Sequence, residues 1–177
     1  MKVIKTNLEG VIIIEPEVFG DERGFFKEMY QEKRYADVGI ELDFVQDNCS
    51  RSCKGVLRGL HFQIANPQGK LVSCLSGIVY DVIADINPLS PNFGEHVGVE
   101  LSGGNHRQVW VPPGFAHGFC VLSDFADFYY KCTEFYNSTD ESGILWSDPD
   151  LSINWPIESP LVSDKDQKLG NLKELRI

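Results

Sequence analysis

Closely spaced β-rich runs, scarce helical periodicity and the absence of any dividing linker predict a mainly β chain of the sandwich or barrel type. The runs are short, rich in Val, Ile, Phe and Tyr, and separated by turn residues. No internal repeat or low-complexity tract splits the chain, so its 177 residues are expected to form a single domain, 1–177, with a substantial core.

The expected elements follow in order. VIIIE (Val11–Glu15) and GFFKEMY (Gly24–Tyr30) read as strands. Gln31 to Val38 carries the best helical pattern, stopped by Gly39. LDFVQD (Leu42–Asp47), GVLRGLHFQ (Gly55–Gln63), KLVSCL (Lys70–Leu75) and GIVYDVIADI (Gly77–Ile86) read as strands. So do HVGVEL (His96–Leu101), RQVWVP (Arg107–Pro112), HGFCVL (His117–Leu122) and FADFYYKCTEFY (Phe125–Tyr136). Asn87-Pro88, Ser90-Pro91 and Pro112-Pro113 mark turns, and Asp164–Lys168 a short helical turn.

Composition limits the partners. A net charge of -10 repels nucleic-acid phosphates and anionic membrane surfaces, so neither is expected as a partner. An anionic small molecule is still accommodated if the few bases cluster. The five cysteines, Cys49, Cys53, Cys74, Cys120 and Cys132, are odd in number and lack framework spacing, which suits reduced thiols and a cytoplasmic protein. Cys49 and Cys53, four apart, do not have a zinc spacing and read as packing residues. Val11–Ile14 is too short for a signal-peptide core or a membrane span, so a soluble intracellular chain is expected.

The run Gly55–Gln63 places two polar groups in an apolar strand. Strict alternation groups Arg58 with Val56, Leu60 and Phe62, and His61 with Leu57 and Gln63. Gly59 between them is a candidate bulge that would bring both to one side. A guanidinium and an imidazole together suit a small anionic ligand with an acidic proton.

VPPGFAHGF (Val111–Phe119) contains Pro112-x-Gly114-x-x-His117 and resembles the second motif of the cupin superfamily, whose members are double-stranded β-helix jelly rolls. In metal-binding cupins the first motif supplies His residues at i and i+2 with a nearby Glu. The corresponding strand here reads His61-Phe62-Gln63, so no catalytic metal is expected and His61 is free for proton transfer.

The ordered set FGDERGFFKE (Phe19–Glu28), FVQDN (Phe44–Asn48), GVLRGLHFQ, QGKLV (Gln68–Val72), GFAHGF, YYK (Tyr129–Lys131) and SDKD (Ser163–Asp166) resembles the dTDP-4-dehydrorhamnose 3,5-epimerase family across nearly the whole chain. The resemblance implies a cupin-like jelly roll with few short helices, a homodimer, and cofactor-independent inversion of C3 and C5 of a dTDP-linked 4-keto-6-deoxyhexose. The product would feed dTDP-rhamnose and surface polysaccharide synthesis. Matched position by position, it implies His61 as base, Asp166 as its orienting partner, Tyr130 as acid and Lys70 facing the developing C4 oxyanion. It further implies substrate binding by Phe19, Arg23, Glu28, Gln46, Asp47, Asn48, Arg58, His117, Tyr136, Glu141 and Lys165, with Tyr136 stacking on thymine. Val11–Ile14 is expected to contribute to the dimer contact.

Local readings compete with these roles. Asp166, three residues after Ser163, also fits a helix-cap arrangement. Tyr130 fits a packed strand aromatic, its neighbour Tyr129 pointing the other way. His117 fits a satisfied core histidine, and Lys70 and Arg23 fit solvated charges. His96 and His106 match no functional position and read as surface or edge residues. Ser73 stands where the family often has Arg, and Cys49 follows FVQDN at a variable position. Related epimerases acting at C3 only or C5 only share nearly the same residues, and a non-catalytic sugar-nucleotide-binding cupin would keep the arginines.

Overall fold

A computed structural model describes residues 1–175. The first half contains β1 (Lys2–Lys5), β2 (Ile12–Glu15), β3 (Val18–Asp21), β4 (Gly24–Lys27), helix α1 (Glu32–Ala36), β5 (Gln46–Cys53), β6 (Val56–Gln63), β7 (Lys70–Ser76) and β8 (Ile78–Asp85). There follow β9 (His96–Ser102), β10 (Gln108–Val111), β11 (Phe115–Val121), β12 (Phe125–Cys132), β13 (Glu141–Gly143) and β14 (Leu161–Val162), then two single 3-10 turns at Asp166–Lys168 and Leu172–Glu174.

The strands form two facing sheets, ordered β1-β2-β10-β7-β12-β5 and β13-β6-β11-β8-β9, with β14 added in parallel beside β6. A separate ribbon pairs β3 with β4. This is the expected mainly β, cupin-like jelly roll. Alternation explains why these sequences bury both faces of their sheets. Val72, Cys74, Val109, Val111 and Phe128 of the first sheet meet Val79, Ile83, Val99, Leu101, Phe119 and Val121 of the second in the central core. The outward residues Leu57, Leu60, Phe62, Val82, Ala84 and Cys120 are covered by the C-terminal segment through Ile144, Leu151, Trp155 and Leu172. On the other flank, Ile14, Leu71 and Trp110 pack under Tyr35 of α1 and Ile40.

Several expectations are corrected. Leu42 to Val45 is not a strand: Phe44 packs edge-on against Tyr30 and Trp110, so its apolarity serves the cover of the first sheet, and β5 begins only at Gln46. The long aromatic run ends its strand at Cys132, where Thr133 turns to exchange hydrogen bonds with Gly69. Helix α1 is shorter than expected. The Gln31 side chain accepts from the Arg34 N–H at its start, and Gly39 takes φ +96° just beyond its end. The strand expected at Val11–Glu15 is present as β2, inside the first sheet between β1 and β10, with Val11 and Ile14 buried. Cys49 and Cys53 are exposed on edge strand β5 and are not packing residues, whereas Cys74, Cys120 and Cys132 are buried. No helix among the described residues is long and apolar enough to cross a membrane.

The bulge expected at Gly59 is present. Opposite β11, His61 pairs with His117 and Arg58 with Phe119, so three steps along β6 match two along β11. Gly59 has φ +122° and is joined to Leu60 by a cis peptide. The register of the bulge shifts the phase of β6 by one residue. Leu57, Leu60 and Phe62 face the outer cluster, while Arg58 and His61 line the cavity.

A side chain at Gly59 would place its Cβ 2.6 Å from Gly118 Cα and 2.8 Å from the His117 carbonyl oxygen, in a backbone conformation few L-residues adopt. Gly59→Ala should therefore cost about 2–4 kcal/mol, read as a fall of roughly 4–16 °C in the thermal midpoint. An unchanged midpoint would mean that the bulge is not needed.

Candidate active site

At one end of the central core, polar residues take over the inward positions. His61 and Arg58 of β6 and His117 of β11 project from one sheet; Lys70 of β7 and Tyr130 of β12 project from the other. Together with Ser50, Phe119, Phe128 and the segment Leu161–Asp166 they line a cavity of about 530 Å³. Its apolar walls continue the core, so a ligand there meets charges in a partly water-excluded space.

Asp166 reaches the site because β14 runs beside the start of β6 and delivers the 3-10 turn that follows. Two sets of contacts converge on this residue. Its N–H donates to Ser163 Oγ at 3.1 Å, closing the turn, while its carboxylate lies 2.8 Å from His61 Nε2 and accepts from the Gly59 N–H at 3.2 Å. A carboxylate can only accept, so Nε2 carries the proton and Nδ1 presents its lone pair. Burial would raise the Asp166 pKa, but the His61 hydrogen bond and charge, with the Gly59 and Ser163 contacts, hold it below the usual value of 3.8.

Tyr130 faces inward as alternation requires, whereas Tyr129 faces outward and donates to Asp47. Burial chiefly raises the Tyr130 phenol, keeping it protonated at neutral pH. Lys70 is partly buried at the cavity wall rather than fully solvated. Desolvation pulls its ammonium below the ordinary 10.5, against opposing effects of Cys132, Glu141 and Asp81. Arg58 donates from Nε to Ser52 Oγ at 3.1 Å and turns its remaining N–H groups to the cavity.

A residue the sequence reading missed is Asp81. It is fully buried on β8, its Oδ2 lies 2.8 Å from His117 Nε2, and its Oδ1 has no partner among the described residues. His117, stacked near Phe128, is thus a second carboxylate-held imidazole, directly across from His61 in the β6–β11 ladder. An inward Asp within the apolar run IVYDVIAD was the available signal.

The other candidates divide into two groups. Tyr136, Glu141 and Lys165 cluster at the mouth: the Tyr136 hydroxyl donates to Glu141 Oε2 at 2.8 Å, Lys165 Nζ bonds the same oxygen, and Glu141 Oε1 is 3.9 Å from His61 Nδ1. Gln46 joins them by accepting from the Tyr136 N–H at 3.0 Å, and Asn48 accepts from the Gln46 side chain. Asp47 instead points to the outer face, paired with Lys131 at 2.7 Å. Phe19, Arg23 and Glu28 are not brought to the cavity of their own chain. Arg23 pairs with Asp21 and Glu28 with Arg34 around the β3–β4 ribbon. Of the unassigned histidines, His106 contacts Lys27 and Phe25 of that ribbon.

Gln63, at the position of a metal-binding cupin's second His, spends its amide on backbone. It donates to the carbonyls of Asn66 and Phe135 and accepts from the Asn137 N–H. No group of three or more His, Cys, Asp or Glu side chains suited to a metal ion forms among the described residues.

The sequence profile of the dTDP-4-dehydrorhamnose 3,5-epimerase family matches residues 5–174. The chain is 58% identical to the dTDP-4-dehydrorhamnose 3,5-epimerase of Shigella flexneri over 168 residues, 94% of this chain and 93% of that one. It is 52% identical to the Escherichia coli K12 enzyme of the same name over 178 residues, 99% and 96% of the two chains. The crystal structure of the dTDP-6-deoxy-D-glucose-3,5-epimerase of Legionella pneumophila in complex with dTDP-4-keto-L-rhamnose superposes with a TM-score of 0.97 at 54% identity, covering 99% of this chain and 94% of that one.

The Asp166 contacts predict a pH signature. Its folded pKa is depressed, so its contribution to stability is complete above the ordinary carboxylate value of 3.8 and is lost as pH falls through the lower folded value. Asp166→Asn should cost about 1–3 kcal/mol at pH 7, with the gap to the parent closing below about pH 4 in denaturant titrations. A gap that stays constant to pH 2 would refute the assignment.

Proposed function

The chain belongs to the dTDP-4-dehydrorhamnose 3,5-epimerase family, a family of isomerases, and from that premise we propose that His61 and Tyr130 invert C3 and C5 of dTDP-4-dehydro-6-deoxy-D-glucose to give dTDP-4-dehydro-L-rhamnose. The observation that carries the mechanism is that His61 and Tyr130 enter one cavity from opposite sheets. Both carbons lie α to the C4 ketone, so loss of either proton gives a planar enolate. A base on one wall and an acid on the other deliver the new proton to the opposite face, which is inversion. A single group would return the proton to the side it left.

The surrounding residues take distinct roles. His61 Nδ1 accepts the proton, and Asp166 holds the ring and stabilises the imidazolium. Tyr130 donates. The Lys70 ammonium, lacking any carboxylate contact among the described residues, is set to bind the C4 oxygen as charge develops there. Arg58 and His117 grip the sugar nucleotide, the guanidinium suiting diphosphate oxygens, and Tyr136 at the mouth stacks on the base. No step calls for a cofactor. The chain acts as one catalytic domain in the cytoplasm, its product serving rhamnose and surface polysaccharide synthesis.

The protein acts as a homodimer in which the β3–β4 ribbon serves the partner. Phe19, Phe25 and Phe26 on the ribbon are 58%, 59% and 69% exposed, too much apolar area to leave in water. The ribbon also carries Arg23, and Glu28 follows it, so docking against a second copy would bring both toward that copy's cavity. Light scattering should report a dimer. Arg23→Ala should raise KM about tenfold or more without dissociating it, whereas a fully active monomer would overturn the proposal.

Incubation with the keto sugar nucleotide in deuterated water should place two deuterons in the product, and a chelator should change nothing. His61→Ala should reduce exchange at both carbons by roughly 10²–10⁴-fold. One deuteron would mean a single-centre epimerase, and none would remove the enzymatic reading.

A further inference from the structure

Each inversion of this kind leaves the acid–base pair in the wrong state. His61 ends with one proton too many and Tyr130 with one too few, so neither can act on the second carbon. A proton must leave the imidazolium and one must reach the phenolate before the same pair works again. Asp166 cannot receive it, because it already holds the Nε2–H and faces away from Nδ1.

Glu141 is the carboxylate on the Nδ1 side. Strand β13 pairs with β6 so that Glu141 sits opposite Gln63, and its Oε1 comes to 3.9 Å from His61 Nδ1. That spacing needs a small side-chain rotation or one bridging water. Oε2 is held by the Tyr136 hydroxyl and the Lys165 ammonium, both open to solvent. Burial would raise the Glu141 pKa, but Lys165 and Tyr136 hold it below the ordinary carboxylate value, so a proton received there is released rather than kept.

We propose that Glu141 resets the base between the two inversions, taking the proton from His61 Nδ1 and releasing it to water at the solvent-open Tyr136–Lys165 edge of the site, while Tyr130 regains its proton from water. This rests on the epimerase reading above. The balance closes: imidazolium and carboxylate become imidazole and carboxylic acid, the acid gives its proton to water, and the phenolate takes one from water. No oxidant or co-reactant enters, and no net proton is consumed.

The test uses the full chain in deuterated water with rapid quenching. Glu141→Gln should build up about one equivalent per active site of sugar inverted and labelled at a single carbon, with a steady-state rate at least about tenfold below that first event. The relay is read from the ratio of singly to doubly inverted product, which a change in KM alone does not move. In Glu141→Ala, which opens space at the carboxylate, added formate should restore double inversion in proportion to its concentration. A purely binding role is indicated by a raised KM, an unchanged ratio of singly to doubly inverted product and no response to formate, and that result overturns the relay. Failure of the epimerase reading is distinguishable, because the parent protein itself would then take up no deuterium.

Discussion

The site depends on the extra residue in β6. Without the Gly59 bulge, Arg58 would share the outer face with Leu60 and Phe62, where the C-terminal segment packs. With it, a guanidinium and an imidazole share a wall of the cavity. Asp166 is bound into the same feature. One of its oxygens takes the Gly59 N–H and the other holds His61, so the carboxylate fixes the bulge and the tautomer of the base together. Gly118 allows the arrangement from the neighbouring strand, since a Cβ there would lie 2.8 Å from the Arg58 carbonyl oxygen.

The second dependence is on the two-sheet architecture itself. A sandwich core is built from side chains that meet from opposite walls, and His61 and Tyr130, the pair proposed to move protons, use that geometry by replacing apolar partners at one end. The polar residues pay for this with desolvation. Lys70 is pulled toward neutrality, Tyr130 is pushed away from ionisation, and Asp81 keeps one oxygen without a partner among the described residues. Such groups weaken a fold, yet they are those whose interactions gain most when charge appears on a bound enolate. Clustering also explains how a chain of net charge -10 holds an anion: Arg58, Lys70 and Lys165 line one cavity while the acids lie mostly elsewhere.

Much of this was legible in the sequence because strand alternation is a local rule. It separates Tyr129 from Tyr130, places Lys70 and Val72 on one face, and makes Gly59 the residue that must break phase. What failed depended on tertiary placement. Phe44 has the composition of a strand residue but covers a sheet, Cys49 and Cys53 lie on an edge that a linear pattern does not identify, and Asp47 sits one residue out of phase with Gln46 and Asn48. Asp81 could have been read as inward from the same alternation that worked for Tyr130. Its partnership with His117, 36 residues away, could not. Phe19 and Arg23 lie on the β3–β4 ribbon and Glu28 just after it, apart from the cavity of their own chain.

Gln63 links the absence of a second ligand histidine to the shape of the site. In a metal-binding cupin the side chain two residues after His61 would turn to the ion. Here its amide ties the Asn66 and Phe135 carbonyls and the Asn137 N–H together, which fixes the loop that carries Tyr136 and leads into Glu141. The same substitution therefore does two things. It removes a ligand, which leaves His61 Nδ1 open for the proton transfer proposed for it, and it anchors the loop that leads to Glu141, the carboxylate near that nitrogen. A histidine at position 63 could not replace it, because an imidazole has two nitrogens and cannot make three backbone hydrogen bonds of mixed polarity.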